Sequence, residues 1–349
     1  MRRLLVIALV LFVVLLPGCR IGRAVVRSTG ALLSSPEHVQ KVENPVRKDA
    51  RLAVLWVGHA TALVQMDDKF VLTDPIFTSS AGQLSKRLVE PGIEPDKLPP
   101  LDAVVVSHMH FDHLSLGSLD MIEDKVKMLL MPRGGTTYLT NFSFPVIELQ
   151  RWQVWEKNGL RITAVPVDHV GFRYGADDAW MKHAFTGYVF EYHDLKVYFG
   201  GDSAYNQRMF VETSQRFPNL DVALLPIGPI EPRSFMREMH MDPREAVQAF
   251  IDLDALTMVP IHYGTFVNST DDPGDALREL EAARKTTNLG THEIVPVKIG
   301  EQRVFLKQGE KAKHTKPEYK PPPPPPPPPT NQPKQEEKKD DIPDDEKLD

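Results

Sequence analysis

Four side chains that commonly bind metal ions lie within six consecutive residues, 108–113. The sequence there is His-Met-His-Phe-Asp-His, so His108, His110, Asp112 and His113 offer nitrogen or oxygen ligands. One tetrahedral ion cannot use all four side chains of so short a loop, whereas two neighbouring ions can share them. We expect His108 and His110 to face one ion, and Asp112 and His113 to face the other. Neutral imidazole and carboxylate groups suit zinc, with manganese or iron as alternatives.

A strand is expected to position this cluster, and three more strands supply similar side chains. Residues 103–106 form a β-branched run, which predicts a buried strand directly before the cluster. Three further apolar runs are each followed within a few residues by a histidine or an aspartate. These are 161–167 with His169, 195–199 with Asp202, and 256–261 with His262. Because the sites of α/β proteins lie where strands end, the sequence predicts one set of seven ligands.

The complete ligand pattern resembles that of the metallo-β-lactamase superfamily. Several segments are also similar to the phospholipase D that hydrolyses N-acylphosphatidylethanolamine and to its bacterial relatives. These segments are 56–61, 72–77, 224–228, 231–236, 240–246 and 261–266. The similarity covers roughly residues 51–303, and its ligand pattern is more specific for the superfamily than for any substrate.

The resemblance implies an α/β fold, a four-layer αβ/βα sandwich, and a hydrolase with two Zn²⁺ ions. The implied ligands are His108, His110 and His169 for one ion, Asp112, His113 and His262 for the second, and Asp202 as the bridge. A phosphodiesterase of the phospholipase D type would use a hydroxide between the two ions to cleave N-acylphosphatidylethanolamine-like lipids. Asp112 and Asp202 are then catalytic residues as well as ligands.

Two other functions fit the sequence. A lactonase resembling the ascorbate-6-phosphate lactonase, or another hydrolase of a small ester, would direct the same hydroxide at a carbonyl group. An envelope lipoprotein without enzymatic activity would bind a partner through its proline-rich tail. The intact set of seven ligands argues against the last function, because a purely structural zinc site needs four ligands and no open position.

Three more polar residues are candidates for the site. Asp74 lies where the superfamily keeps an acid behind the metal histidines, although a turn aspartate is the alternative. His59 either lines the pocket or bonds to a backbone carbonyl group. His240 precedes a capping-box sequence that begins at Asp242 and predicts a helix. Beside that helix N-terminus, we expect His240 to contact the substrate phosphate or the leaving group, or else to act as a structural cap.

The first residues resemble a bacterial lipoprotein signal. Two arginines precede an apolar stretch at 4–16, and Leu-Pro-Gly-Cys ends at Cys19. A plain signal peptide or a signal anchor is the alternative. Cys19 is the only cysteine, which excludes an internal disulfide and a cysteine zinc ligand. We expect the bacterial cell envelope as location, with a lipid on Cys19 as the membrane anchor. The outer membrane is favoured, and the catalytic domain faces the periplasm or the outside.

The predicted organisation is a signal peptide at 1–18, a tether at 19–50, a hydrolase domain at 51–309 and a disordered tail at 310–349. Nine consecutive prolines at 321–329 predict a stiff extended spacer in that tail. A net charge of −6 argues against binding to nucleic acid, where a basic face is expected. The expected partners are therefore a membrane lipid or a small-molecule ester, and the membrane itself. The sequence makes no prediction of the oligomeric state.

Overall fold

A computed structural model describes residues 34–82, 85–272 and 274–313, together with Arg23, Val26, Arg27, Thr29 and Gly30. The signal segment, Cys19 and the proline run lie outside the described residues, so the expectations for them stay predictions. Within the described part of the chain, no helix combines the length and the apolar composition needed to cross a membrane.

The first of two large sheets has seven strands. Their order is β16 (Gln302–Lys307), β1 (Ala50–Gly58), β2 (Thr61–Met66), β3 (Lys69–Thr73), β6 (Ala103–Val105), β7 (Leu129–Pro132) and β8 (Val146–Leu149). The strands from β16 to β3 pair antiparallel, and those from β3 to β8 pair parallel. Outside this sheet, β4 (Ser80–Ala81) and β5 (Ser85–Lys86) form a short ribbon.

The second large sheet also has seven strands. Their order is β15 (Glu293–Ile294), β14 (Thr257–Ile261), β13 (Val222–Pro226), β12 (Leu195–Phe199), β11 (Gly187–Tyr192), β10 (Leu160–Val165) and β9 (Val154–Lys157). The pairs from β9 to β12 are antiparallel, and those from β12 to β15 are parallel. Because β10 and β12 both oppose β11, they run in the same direction as β13 and β14. The carboxyl ends of these four strands therefore lie at one edge.

Between residues 34 and 313, the described part of the chain also contains six α-helices and three 3₁₀ turns. The helices are α1 (Leu116–Met121), α2 (Asp178–Met181), α3 (Gln207–Arg216), α4 (Arg233–Met236), α5 (Pro243–Leu253) and α6 (Asp275–Thr286). The 3₁₀ turns are Pro95–Lys97, Glu123–Lys125 and Gly135–Tyr138.

The two sheets pack face to face, and helices cover their outer faces. Successive side chains of β1 alternate between the two faces of its sheet. Val54 packs in the inner core with residues of both sheets, whereas Leu55 packs in the outer layer that contains α1. On the other side, Phe210 of α3, Phe250 of α5 and Leu280 of α6 pack on the second sheet. The predicted four-layer αβ/βα sandwich is confirmed.

The helix predicted after His240 is α5, and it begins with a complete capping box. The Asp242 carboxylate accepts hydrogen bonds from the backbone N–H groups of Arg244 and Glu245. The Glu245 carboxylate accepts one from the Asp242 N–H group in return, and Pro243 occupies the first helical position. These contacts satisfy N–H groups that a helix cannot satisfy internally.

Two predicted burial states are wrong. The sequence predicts an amphipathic helix at 275–285 with Leu277 and Leu280 facing inward, but the Leu277 side chain is 38% exposed. The buried face of α6 passes through Ala276, Leu280 and Ala283, and Leu277 lies to one side of it. The sequence also predicts that His292 is exposed to solvent, but it is half-buried, and its ring bonds to the backbone carbonyl group of Ala255 at 2.7 Å.

Residues from the predicted tether contact the sheets and the loops around them. Within the tether, the Val42 N–H group donates to the carbonyl group of Gly92 in the domain at 3.0 Å. Further towards the N-terminus, Arg23 and Arg27 both form ion pairs with the Asp272 carboxylate, at 2.8 and 2.7 Å. The described part of the tether is thus held against the domain by specific bonds.

Asp221 gives the fold a pH dependence that is independent of the ligand cluster. Its carboxylate is buried and accepts a bond from the Lys196 N–H group at 2.8 Å. Burial raises the pKa of Asp221 to about 7, the bond from Lys196 opposes this, and the charge of Asp194 adds to it. The folded chain thus binds a proton that the unfolded chain releases near pH 4, so stability falls as pH rises from 4 through 7.

We expect Asp221→Asn to be more stable than the wild type at pH 8, by on the order of 2 kcal/mol. The neutral amide keeps an oxygen that can accept the bond from Lys196 but carries no charge into the interior. Urea unfolding from pH 4 to pH 8 measures the difference, which should disappear towards pH 4. A difference that does not change with pH would contradict this account.

Candidate metal centre

The structure brings all seven predicted ligands to one edge of the sandwich. β6 of the first sheet delivers the cluster 108–113, and β10, β12 and β14 of the second sheet deliver the other three. The buried ligands are His108, His113, His169, Asp202 and His262, and the partly exposed ones are His110 and Asp112. Each follows its strand within a few residues, so the register of the two sheets fixes where the cluster forms.

Four ligand atoms lie at the mutual distances that one tetrahedral ion requires. Nε2 of His113 is 3.1 Å from Nε2 of His262. Oδ2 of Asp202 is 3.2 Å from the first nitrogen and 3.1 Å from the second. Oδ2 of Asp112 is 3.7 Å from each of them. Two ligands of a tetrahedral zinc ion, each about 2.0–2.1 Å from it, are themselves about 3.3 Å apart.

The Nδ1 atoms of His113 and His262 are already engaged in hydrogen bonds. Nδ1 of His113 donates to the Asp74 carboxylate at 2.6 Å, and Nδ1 of His262 donates to the Gly228 carbonyl group at 2.9 Å. Asp74 is itself held by the N–H and hydroxyl groups of Ser107, both at 2.6 Å. Because Nδ1 of each ring is already bonded as a donor, the two Nε2 atoms are directed at each other and at a carboxylate. A cation satisfies that arrangement, so these residues fit a metal ion.

A second group of ligand atoms adjoins the first. Nε2 of His108 and Nδ1 of His110 are 2.8 Å apart, and they lie within 4.8 Å of a ring nitrogen of His169. Nδ1 of His169 donates to the Met239 carbonyl group at 2.8 Å, whereas its Nε2 is buried without a hydrogen-bond partner. Oδ1 of Asp202 is also buried and unpartnered, and Oδ2 is 4.0 Å from the His169 Nε2. Asp202 thus lies between the two groups.

The charges of the cluster favour a cation. Burial alone would raise the pKa of Asp202, but the surrounding histidines hold it well below its usual range. Burial lowers the pKa values of His108 and His169, so both rings are neutral. Burial also lowers the pKa of His262, but the carboxylates of Asp202 and Asp112 outweigh burial and raise the value to about 9. In the metal-free chain a proton therefore takes the position that a metal ion would occupy.

His59 belongs to the cluster, although the sequence left its role open. Its Nε2 lies 2.9 Å from Oδ2 of Asp112, and its ring centre is 3.9 Å from that of His262. The backbone of His59 is left-handed, with φ of 55°, and its N–H group donates to the Thr265 hydroxyl group at 2.7 Å. Its carbonyl group accepts from the N–H group of His262 at 3.0 Å. His59 therefore holds both Asp112 and His262 in place.

His240 lies at the edge of the second group. Its Nδ1 is 3.6 Å from Oδ2 of Asp202, and its ring centre is 5.1 Å from that of His169. Burial lowers its pKa to about 4, so the ring is neutral. Asp242, and not His240, caps α5. The structural alternative considered for His240 is therefore filled by another residue, while its side chain faces the cluster.

A family model for the beta-lactamase superfamily domain matches residues 69–263. The chain belongs to this superfamily. An N-acyl-phosphatidylethanolamine-hydrolyzing phospholipase D of Caenorhabditis elegans is 32% identical over 275 residues, which cover 72% of this chain and 76% of the worm protein. A metal-dependent hydrolase of Methanopyrus kandleri is 30% identical over 240 residues, which cover 66% of this chain and 92% of that protein.

Solved structures agree with this assignment at the level of the fold. An isothiocyanate hydrolase from Delia radicum gut bacteria matches with a TM-score of 0.58 at 19% identity, over 73% of this chain and 99% of that protein. The protein is a metal-dependent hydrolase of the metallo-β-lactamase superfamily. The predicted family and enzyme class are confirmed.

We expect His59→Asn to weaken zinc binding about 10–100-fold, because the shorter side chain no longer reaches Asp112. Asparagine tolerates the left-handed backbone, so the turn itself is kept. His193→Asn is the matched control, since His193 has the same φ of 55° and lies in the exposed turn between β11 and β12. Competition with a chromophoric chelator measures both affinities. Equal zinc affinity in the two variants would exclude this role for His59.

Zinc binding should release protons, because Nε2 of His262 must lose its proton before it can bind a metal. With a pKa of about 9 for this ring, the affinity should rise about tenfold per pH unit below pH 9 and then level off for this group. Titration calorimetry at pH 7.5 in two buffers of different ionisation enthalpy counts the protons. Binding without proton release would show that His262 is neutral in the metal-free protein.

Proposed function

We propose that this protein is a dinuclear-zinc phosphodiesterase of the phospholipase D type that acts on N-acylphosphatidylethanolamine-like lipids. The observation that carries the proposal is the pair of adjacent ligand groups that share Asp202. The similarity to the worm phospholipase D supports the choice of substrate class. The proposed location is the bacterial envelope, with a lipid on Cys19 holding the enzyme near its membrane substrate.

Two zinc ions held by these ligands would supply a nucleophile at neutral pH, because such a pair lowers the pKa of a shared water molecule. The proposed ligands are His108, His110 and His169 for one ion, Asp112, His113 and His262 for the other, and Asp202 for both. The partly exposed His110 and Asp112 lie on the accessible side of the cluster, where a phosphate group can enter.

In this proposal His240 binds a phosphoryl oxygen of the substrate. Its Nδ1 has no hydrogen-bond partner among the described residues, and the side chain faces the cluster beside Asp202. A ring with a pKa of about 4 is neutral at pH 7, so it has an N–H group to donate but no spare proton to transfer. Water would then protonate the leaving alkoxide oxygen to give the free alcohol, and His240 would orient the phosphate.

The N-terminus of α5 adds to this orientation. Asp242 and Glu245 occupy some of its N–H groups, but the partial positive charge of the helix end remains close to His240. Arg233 donates to the His240 carbonyl group at 2.9 Å and also bonds to the Glu245 carboxylate, which fixes the segment between α4 and α5. These bonds therefore hold the His240 ring in a fixed position beside the proposed substrate site.

Metal content and a substrate screen test the proposal together. Mass spectrometry on protein purified without chelators should give close to two zinc ions per chain. Detergent-dispersed N-acylphosphatidylethanolamine should be hydrolysed, whereas acyl-homoserine lactones and sugar lactones should not. A ratio near one ion per chain would contradict the dinuclear centre, and turnover of lactones alone would assign the protein as a lactonase.

Asp202→Asn should lower the turnover of the lipid by about 100-fold or more, because Asp202 is the ligand that both groups share. Asp124→Asn, on an exposed 3₁₀ turn, is the control and should keep wild-type turnover. Circular dichroism checks that both variants are folded. Wild-type activity in a folded Asp202→Asn variant would remove this residue from the chemistry.

A further inference from the structure

Three aromatic side chains project into solvent from two loops beside the metal centre. Trp180 is 70% exposed, Tyr174 is 66% exposed and Phe235 is 60% exposed. In the described ranges, the other strongly exposed large hydrophobic side chains are aliphatic and lie elsewhere in the sequence. Large aromatic rings are usually buried or placed at an interface, because their apolar area is costly to hydrate.

The first of these loops, residues 170–182, follows His169 and is fastened to the metal-binding loop. Arg173 donates to the backbone carbonyl groups of Met109 and Leu114, both at 2.8 Å. The ring of Tyr174 lies edge-on against Phe111 with centres 5.6 Å apart. The exposed ring of Tyr174 therefore lies next to the cluster 108–113, and Trp180 follows six residues later in the same loop.

The second loop carries Phe235 on α4, one turn before His240. The His240 N–H group donates to the Met236 carbonyl group at 2.7 Å, so α4 leads directly into the His240 side of the cluster. Because the rings of His240 and His169 are neighbours, the two loops with exposed aromatic side chains lead to the same part of the cluster.

The N-terminal segment is tied to the second loop. The Asp271 carboxylate accepts bonds from the N–H groups of Ile230 and Glu231, at 2.8 and 2.7 Å. Its neighbour Asp272 holds Arg23 in the ion pair described above. Cys19, which carries the proposed lipid, precedes Arg23 by four residues, which is at most about 14 Å of chain. A membrane that holds this lipid must therefore lie close to the loop that carries Phe235.

We propose that Tyr174, Trp180 and Phe235 form a docking surface for a phospholipid bilayer. Tryptophan and tyrosine are enriched at the boundary between lipid head groups and acyl chains, where one end of the ring is apolar and the other is hydrated. The docking surface directs the opening of the metal centre at the bilayer, and its purpose rests on the lipid substrate proposed above. A substrate head group then enters the site while its acyl chains remain in the bilayer.

Quenching of tryptophan fluorescence tests the docking directly. The full-length protein is bound to vesicles of phosphatidylcholine and phosphatidylethanolamine, with and without dibrominated phosphatidylcholine. Trp56 and Trp155 are buried and Trp152 is half-buried, so Trp180 is the tryptophan that can reach the lipid. We expect brominated lipid to quench the wild type, and this quenching to disappear in Trp180→Phe. Equal quenching of the wild type and Trp180→Phe would overturn the proposal.

A second experiment compares two triple variants, each of which removes three exposed hydrophobic side chains. One carries Tyr174→Ser, Trp180→Ser and Phe235→Ser, and the control carries Met121→Ser, Ile147→Ser and Val154→Ser, at exposed aliphatic residues elsewhere. The ratio of vesicle to detergent activity should fall about tenfold in the first variant alone. An unchanged ratio in that variant would contradict docking.

The two proposals fail in different ways. If the wild type hydrolyses the lipid neither in vesicles nor in detergent, the proposed substrate is wrong, and quenching of Trp180 still reports whether the docking surface binds a bilayer. If the lipid is hydrolysed but Trp180 is not quenched, the proposed function stands and the docking surface does not.

Discussion

The structure depends on the buried Asp202 carboxylate. Ring nitrogens of several histidines surround it and point towards it. Distances of 3.1–3.2 Å from Asp202 to His113 and His262 match those between two ligands of one metal ion. So many buried acceptors are unstable together unless protons or metal ions compensate them. Burial of the cluster thus commits the protein to cation binding, and the pKa of His262 shows protons competing for the same position.

Each layer of the fold contributes to holding this cluster. The first sheet supplies the ligands of residues 108–113 and, behind them, Asp74 at the end of β3. The second sheet supplies the remaining ligands from three strands that end at the same edge. The turn at His59 joins the two sheets, since its backbone bonds to His262 while its ring bonds to Asp112. Separation of the sheets would therefore dismantle both ligand groups, so the inner core and the metal centre stabilise one another.

The fold and the ligand set could be predicted from the sequence because they follow one simple pattern. Each apolar strand is followed within a few residues by a metal-binding side chain. The apolar runs predicted at 103–106, 161–167, 195–199 and 256–261 are all strands, with ends shifted by at most two residues. His59 follows the end of β1 in the same way, but its contact with Asp112 spans 53 residues and depends on a left-handed turn. Nothing in local sequence distinguishes that contact from a bond to a backbone carbonyl group. Leu277 was misplaced for a similar reason, because the packing against α5 selects the buried face of α6.

The chemistry and the substrate are encoded in different parts of the chain. The ligands come from strand ends, whose positions are fixed by the sheets, so relatives with different substrates can keep the same centre. In the proposed function the substrate is selected by two loops. Arg173 bonds one of them to the metal-binding loop, and Arg233 bonds the other to α5. Both loops expose aromatic rings to solvent, while their arginines donate to backbone carbonyl groups. A soluble small-molecule substrate would not require such exposed rings, whereas a substrate held in a bilayer would, so the rings support the proposed lipid over a lactone.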